Sequence, residues 1–500
     1  MGGAGVEGGG YGPAPARGVY TEGPDAVTRT MRRALVAVLF LVLGAGCAGP
    51  RGSRSVHSGD PADSSETWLA TYLAGQRVGY SVFREERAGE GYRFSSLSRL
   101  TLSMMGRTQF MRVKSSARVG PNLTLEAFEF ELSTQDGAFS GSGRVKGTEL
   151  RLKGGKEARE RVIQLMEPLY PAEALGRLVV SRNPGSGARL SCLVLDGAVM
   201  DTMRAEVRVV GRDTLDGAGA LRVAVRRAGM EATVWLDSAG RVLKEETPLG
   251  LNSVRVTQQE ALAGENDAGR LDVLKLFRVE VEKPIAEPES VKRVVLELDG
   301  VDTTEYRLTG STQRVVGAAP LRVENTRIAL PTEPVPLPVR GEDELLRPTL
   351  SVQSDNPAVA ARAREIVAGA KDAVLAVNRL LAWTYTALEK EATASFPNAV
   401  DVLRRRKGDC NEHAVLFAAL CRAAGVPAKV VVGLVYLDGA FYYHAWNEVF
   451  LGYWIPVDPT FGQLPASALR LRLVEGEMSS QAQVLGVVRR IAIRITAVEQ

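Results

Sequence analysis

Cys410, His444 and Asp458 stand in the chain order that thiol acyl-transfer chemistry uses. A thiolate attacks an amide carbonyl, and an imidazole takes the thiol proton and returns it to the leaving amine. A carboxylate holds the imidazole in one tautomer and stabilises its charge. Neither cysteine nor histidine is abundant: the chain has 3 histidines and 4 cysteines in 500 residues. Of the histidines, only His444 lies on a stretch that reads as a strand and precedes a suitable aspartate.

The elements that must position these residues can be read locally. Asp409 is a helix cap, and the helix behind it runs from about Cys410 to Ala424, closed by Gly425-Val426-Pro427. Its interior, Ala414 to Leu420, is apolar all round, so the helix is expected to be buried. Cys410 falls in the first turn, where unpaired N–H groups favour an anion, and its thiol pKa is expected to fall. Cys421 lies on the same apolar stripe as Ala414 and Phe417 and reads as a buried hydrophobe. Lys429 to Tyr436 is a buried strand, Asp438-Gly439 turns the chain, and Phe441 to Leu451 is the next strand. Alternation places Tyr442, His444, Trp446 and Glu448 on one face. With a two-residue loop before Trp454, Asp458 would face away from His444. With a three-residue loop, Phe450 faces Trp454, Trp446 faces Asp458, and His444 becomes a diagonal neighbour of Asp458. The longer loop is expected, with Gly452 in its left-handed position. His413 shares a helix side with Cys410. Cys410, His413, His444 and Asp458 can be drawn as a zinc set, but a helical C-x-x-H pair with distant ligands is a weak metal signature. His413 is expected to pack near the site and Glu412 to face solvent or a basic neighbour. No metal and no cofactor is expected.

Four segments together carry a family resemblance: Gly408-Asp409-Cys410, Cys421 to Lys429, His444-Ala445-Trp446-Asn447-Glu448-Val449, and Trp454-Ile455-Pro456-Val457-Asp458-Pro459-Thr460. They resemble the core of the transglutaminase-like superfamily, over about residues 345–475. The resemblance implies a papain-like fold, with a nucleophile helix packed on an antiparallel sheet that carries His and Asp. It implies Cys410, His444 and Asp458 as catalytic residues, with the backbone N–H of Cys410 supplying part of an oxyanion hole. Trp383 is a further candidate near the thiol, although a tryptophan on an apolar helix face is more often core. The implied enzyme is a transglutaminase-like cysteine acyltransferase or a cysteine protease acting on protein or peptide amides through a thioester. Transamidation, deamidation and peptide-bond hydrolysis share that intermediate, and fold does not choose among them.

The rest of the chain reads as delivery and scaffold. Basic and acidic residues nearly balance, 62 against 58, which leaves no electrostatic case for nucleic acid. The run Arg404 to Lys407 reads as a solvated helix end before Gly408. Residues 1–30 are Gly-rich and polar, either disordered or upstream of a true start at Met31. Residues 31–47 read as a signal peptide: Met31-Arg32-Arg33 is basic, Ala34 to Leu43 is apolar but too short to span a bilayer, and Gly44-Ala45-Gly46-Cys47 follows. Cys47 resembles the lipidated cysteine of a bacterial lipoprotein signal, with Leu43 one place early and Gly44 in its slot. An ordinary signal with an unmodified Cys47 is the alternative. Export to the cell envelope is expected, with membrane attachment if Cys47 is modified.

Residues 48–66 are a polar tether, and 67–260 an antiparallel β domain, strongly curved or closed. Strands are expected at Arg93 to Leu102, Gln109 to Val119, Leu123 to Leu132, Gly141 to Leu152, Ala205 to Val210, Leu221 to Val225 and Ala232 to Leu236. One helical stretch, Pro171 to Leu178, interrupts them. Residues 270–331 form a small β-module, in which Val291 to Leu298 and Thr303 to Leu308 are joined by Asp299-Gly300. Residues 332–344 are a Pro-rich linker, 345–475 the catalytic domain and 476–500 a C-terminal segment, giving an α+β chain. In the catalytic domain helices are expected at Pro357 to Ala370, Asp372 to Glu389 and Asn398 to Arg406. So few cysteines exclude a disulfide scaffold, leaving a Cys192–Cys421 pair open. A second reading of the whole is a non-catalytic cell-envelope binding or assembly lipoprotein, its β region active and its triad vestigial.

Overall fold

Alternating apolar runs separated by glycine turns build most of this chain, which is mostly sheet with few helices. The structure is a computed structural model that describes residues 64–500 apart from 105–106, 136, 155–159, 198–199, 228–229, 248–249, 264–277, 392–396, 477–483 and 485. The readings placed on the Gly-rich start, the signal segment and Cys47 lie outside the described residues, as does most of the tether.

The large β domain is one 15-stranded sheet between Ser64 and Val256. Its first strand, Ser64–Leu73, lies mid-sheet, paired with both Gln76–Ala88 and Leu251–Val256. Neighbours are antiparallel except where Leu169–Pro171 meets Arg189–Asp196 in parallel. Asp216 and Gly217, at φ 50 and 82, make the tight turn between Asp201–Leu215 and Ala218–Arg227. The run expected as one strand from Gly141 to Leu152 is two, Ala138–Lys146 and Glu149–Gly154. Gly147, at φ 58, folds them into a hairpin. The expected helical stretch is a 3-10 turn, Ala172–Ala174, running into Leu175–Ser181. It buries Leu175, Leu178 and Val179 against residues of the sheet, among them Phe94, Val194 and Val207.

The remaining sheets position the site. One orders Arg278–Glu280, Ala440–Phe450, Ala428–Leu437 and Arg470–Glu475, with Trp454–Val457 on the far end of Ala440–Phe450. The other orders Gln313–Ala318, Leu321–Thr326, Arg293–Asp299 and Ala492–Glu499. The expected strand at Thr303 to Leu308 is absent. Asp302 accepts hydrogen bonds from Thr304 N–H at 2.9 Å and its hydroxyl at 2.7 Å, a local turn that competes with a ladder. Arg307 N–H donates instead to Leu473 O at 2.7 Å. Arg293–Asp299 takes the C-terminal strand Ala492–Glu499 as its partner, so the end of the chain completes the small sheet. The Pro-rich stretch is pinned at both ends: Ala373 N–H donates to Val335 O at 2.7 Å, and Val339 N–H to Gly425 O at 2.8 Å.

Four α-helices pack against one face of the first of these two sheets or against each other, each begun by a side-chain cap. Asn356 caps Pro357–Ile366, Asp372 caps Ala373–Ala387, Asn398 caps Ala399–Arg405 and Asp409 caps Cys410–Ala423. Arg406 itself takes the left-handed position, at φ 57, that ends Ala399–Arg405 before Gly408 is reached. Cys410–Ala423 is buried along its length up to Arg422, as an all-apolar interior requires. Among the described residues no helix is long and apolar enough to cross a membrane.

Candidate active site

The thiol is placed by a helix start and a strand edge. Asp409 Oδ1 accepts Asn411 N–H at 2.8 Å, and Glu412 Oε2 accepts Asp409 N–H at 3.0 Å, a reciprocal capping box. Glu412 is therefore buried beneath the cap and does not face solvent, the first of its two expected placements. Cys410 is the first helical residue and is 2% exposed. The outer edge of Ala440–Phe450 pairs with Arg278–Glu280 only as far as Tyr442 and with Trp454–Val457 only from Asn447 onwards. In the gap between, the Ala445 N–H lies near enough to the Cys410 sulfur to favour its thiolate. The nucleophile candidate thus lies beside the residue next to His444.

The loop before Trp454 has three residues, with Phe450 opposite Trp454 and Gly452 at φ 89. That register brings Asp458 to His444, whose Nε2 lies 2.7 Å from Asp458 Oδ2. The imidazole lies against Phe461 at 5.0 Å and Trp446 at 6.1 Å, both near-parallel. Asp458 Oδ1 accepts Thr460 and Phe461 N–H at 3.0 and 3.1 Å. Its Oδ2 also accepts from Arg470, Nε at 3.1 Å and Nη2 at 2.6 Å. A carboxylate so supplied accepts only, so His444 carries its proton on Nε2. His444 Nδ1 is then a bare acceptor, and it has no partner among the described residues.

His413 packs under the same helix start. Its Nδ1–H donates to Asp409 O at 2.7 Å. The Trp383 ring has the guanidinium groups of Arg362 and Arg406 at 5.5 and 5.1 Å from its centre. Cys192 and Cys421 are free and buried, in the large sheet and in the helix respectively, so they form no disulfide.

Comparison with known proteins bears on this region. Residues 360–459 match the family model of the transglutaminase-like superfamily. This part of the chain is a transglutaminase-like domain. Kyphoscoliosis peptidase of Mus musculus and of Homo sapiens is each 40% identical over 87 residues, 15% of this chain. The chain spans 13% of the length of these curated relatives. A Cytophaga hutchinsonii structure provisionally assigned as a cysteine protease is 19% identical at TM-score 0.28, covering 42% of this chain and 86% of that one. A β-barrel-like domain of unknown function from Brucella abortus is 11% identical at TM-score 0.33, covering 39% of this chain and 96% of that one.

The electrostatics of the transglutaminase-like domain correct one expectation. Burial pushes the Cys410 thiol well above its usual range, and the Asp409 carboxylate adds to the rise. The helix start and the Ala445 N–H favour a thiolate, but the loss of water around a fully buried sulfur outweighs them. Burial also lowers the His444 pKa against the opposing pull of Asp458, and Arg470 lowers it further. Burial would raise Asp458, but His444 and Arg470 together hold it far below the usual carboxylate range. The closed site therefore holds a neutral thiol, a neutral imidazole and a carboxylate neutralised by arginine.

Arg470 went unread in the sequence. It lies beyond the end of the family match, on the strand Arg470–Glu475. A usable signal exists: Arg470-Leu471-Arg472-Leu473 puts two arginines on one face of an apolar strand, and buried arginines demand carboxylates. Arg472 meets Glu448 at 2.9 Å, as Arg470 meets Asp458.

Proposed function

We propose that the transglutaminase-like domain, in a papain-like arrangement, performs cysteine-dependent acyl transfer on protein or peptide amides, with Cys410 as nucleophile, His444 as base and Asp458 as its orienting partner. The observation that carries this reading is a buried histidine whose Nε2 is committed to Asp458 at 2.7 Å and whose Nδ1 is bare, on the strand whose Ala445 N–H favours the Cys410 thiolate.

The steps follow from that layout. His444 Nδ1 takes the thiol proton as sulfur attacks the amide carbon, so charge separates only as the bond forms. The Cys410 backbone N–H, free at the helix start, faces the developing oxyanion. Asp458 stabilises the imidazolium, which then protonates the leaving amine, and a thioester remains. An amine resolves it by transamidation; water resolves it by deamidation or backbone hydrolysis. Export to the cell envelope, with lipid attachment at Cys47, belongs to the same reading and is supported by the basic, apolar and small-residue order of Met31 to Cys47.

A second reading is a non-catalytic envelope binding protein. It is favoured by the closed site: Cys410 is 2% exposed, and His444 and Asp458 are 0% exposed. Mass spectrometry of the chain mixed with a glutamine-bearing peptide and a primary amine separates the two. Amine incorporation, a one-unit deamidation or a cut backbone, each lost in Cys410→Ala, supports acyl transfer. An unchanged peptide under conditions where Cys410 reacts with a small electrophile supports the binding reading.

A further inference from the structure

A cavity of about 90 Å³ lies inside the large β domain, away from the thiol. Phe94, Leu175, Val207, Val223, Val234 and Leu236 are among its apolar walls. The helix Leu175–Ser181 closes it on one side and the strands beyond Asp201 on the other. Cavities of this order admit ligands of only a few atoms, as an engineered ~150 Å³ void admits benzene.

The charged groups at its wall do not cancel. Four arginines line it, and three have their guanidinium groups occupied: Arg84 by Glu66 at 2.6 Å, Arg177 by Glu85, and Arg241 by Asp237 at 2.9 Å. Arg227 remains, facing two carboxyl groups, Glu173 and Glu245. Glu173 accepts from the Ser115 hydroxyl. Glu245 is 7% exposed and has no hydrogen bond or ion pair among the described residues. It sits in the row between Val234 and Ser253, so its strand position turns it inward. Burying a carboxyl with no partner is costly, and a ligand that supplies one removes the cost.

The geometry points to a binding site for a compact ammonium with an apolar body, its charge answered by Glu245 and Glu173 and its body by the valine wall. One positive charge balances two carboxylates against one free arginine. A carboxylate ligand would add a third negative charge beside Arg227. Burial pushes Glu245 up to about 7, against the pull of Arg227, so occupancy should rise as pH rises through that value.

The test uses the full chain and three probes of equal length: pentylammonium, pentanoate and pentanol, titrated by calorimetry at pH 8 and pH 5.5. Pentylammonium should bind at least tenfold more tightly than the other two at pH 8, and weaken at pH 5.5. Glu245→Gln, nearly isosteric, should weaken it tenfold or more and leave pentanol unchanged. Val225→Phe, which fills the wall, should abolish binding of all three while far-ultraviolet circular dichroism stays native. Pentanoate binding as tightly as pentylammonium, saturation by none of the probes, or an unaltered Glu245→Gln would overturn the assignment.

Discussion

Arg470→Gln is the substitution that separates a tuned base from a merely buried one. The change removes both donors that Arg470 gives to Asp458 Oδ2, at 3.1 and 2.6 Å, together with their charge. Leaving a buried charge without its partner costs about 3–5 kcal/mol. Asp458 keeps His444 Nε2 on Oδ2 and two backbone N–H groups on Oδ1, so the cost belongs at the low end, ~3 kcal/mol. The guanidinium also repels an imidazolium that shares the same carboxylate oxygen. Its removal raises the His444 pKa, and burial alone continues to lower it. A base must be deprotonated to act, so the acid limb of the rate profile moves to higher pH. Arg470→Lys keeps the charge but loses the fork; it should restore the acid limb while recovering only part of the stability. Urea unfolding reads the stability, and 15N-histidine NMR follows the titration directly because only three histidines are present. If Arg470→Gln titrates like the native chain and unfolds within ~1 kcal/mol of it, the coupling argued from these distances is refuted.

Two further outcomes follow from burial at the helix start. Because the Cys410 thiol is pushed up, iodoacetamide at pH 7.5 should modify it more slowly in the folded chain than in urea; faster native modification would show a resting thiolate and sink the neutral-pair description. His413 is pushed down to about 4, so the unfolded chain binds the extra proton between pH 6.5 and 4 and stability falls as pH falls through that window. From pH 7 to 5 the loss is about 2 kcal/mol, and His413→Asn should shed that share of the pH dependence in urea titrations, a parallel pH response in both chains contradicting it.

The neighbourhood of the thiol was readable where its determinants are local. The Asp409 cap needs only the residues that follow it, though Glu412 was not read as its reciprocal partner, and the three-residue loop needs only Gly452 and the alternation on either side. What failed depended on partners far along the chain. Arg293–Asp299 has a strand neighbour about two hundred positions away, in Ala492–Glu499, and no local pattern in Thr303 to Leu308 announces that it will be passed over. The thiol pKa failed for a related reason. A helix start is visible in sequence, but the burial that strips water from the Cys410 sulfur comes with elements packed on its helix from elsewhere in the chain, the strand Ala440–Phe450 among them.

Arg470 shows where the two kinds of information meet. Its strand spaces two arginines by one leucine, and both arginines are buried: Arg470 is 5% exposed and Arg472 3%. Two cations on one buried face require two carboxylates on the strands they cross. The strand Ala440–Phe450 and the turn after Trp454–Val457 offer Glu448 and Asp458, on the face that carries His444. Glycine at 433 lets this happen, because a Cβ there would lie 2.0 Å from Leu471 O and 3.0 Å from the Trp446 ring. Gly433 stands opposite both His444 and Arg472, so the close approach it permits sets the distance between the imidazole strand and the arginine strand. Any side chain at 433 would push those strands apart and lengthen the Arg470–Asp458 contact before touching the triad itself.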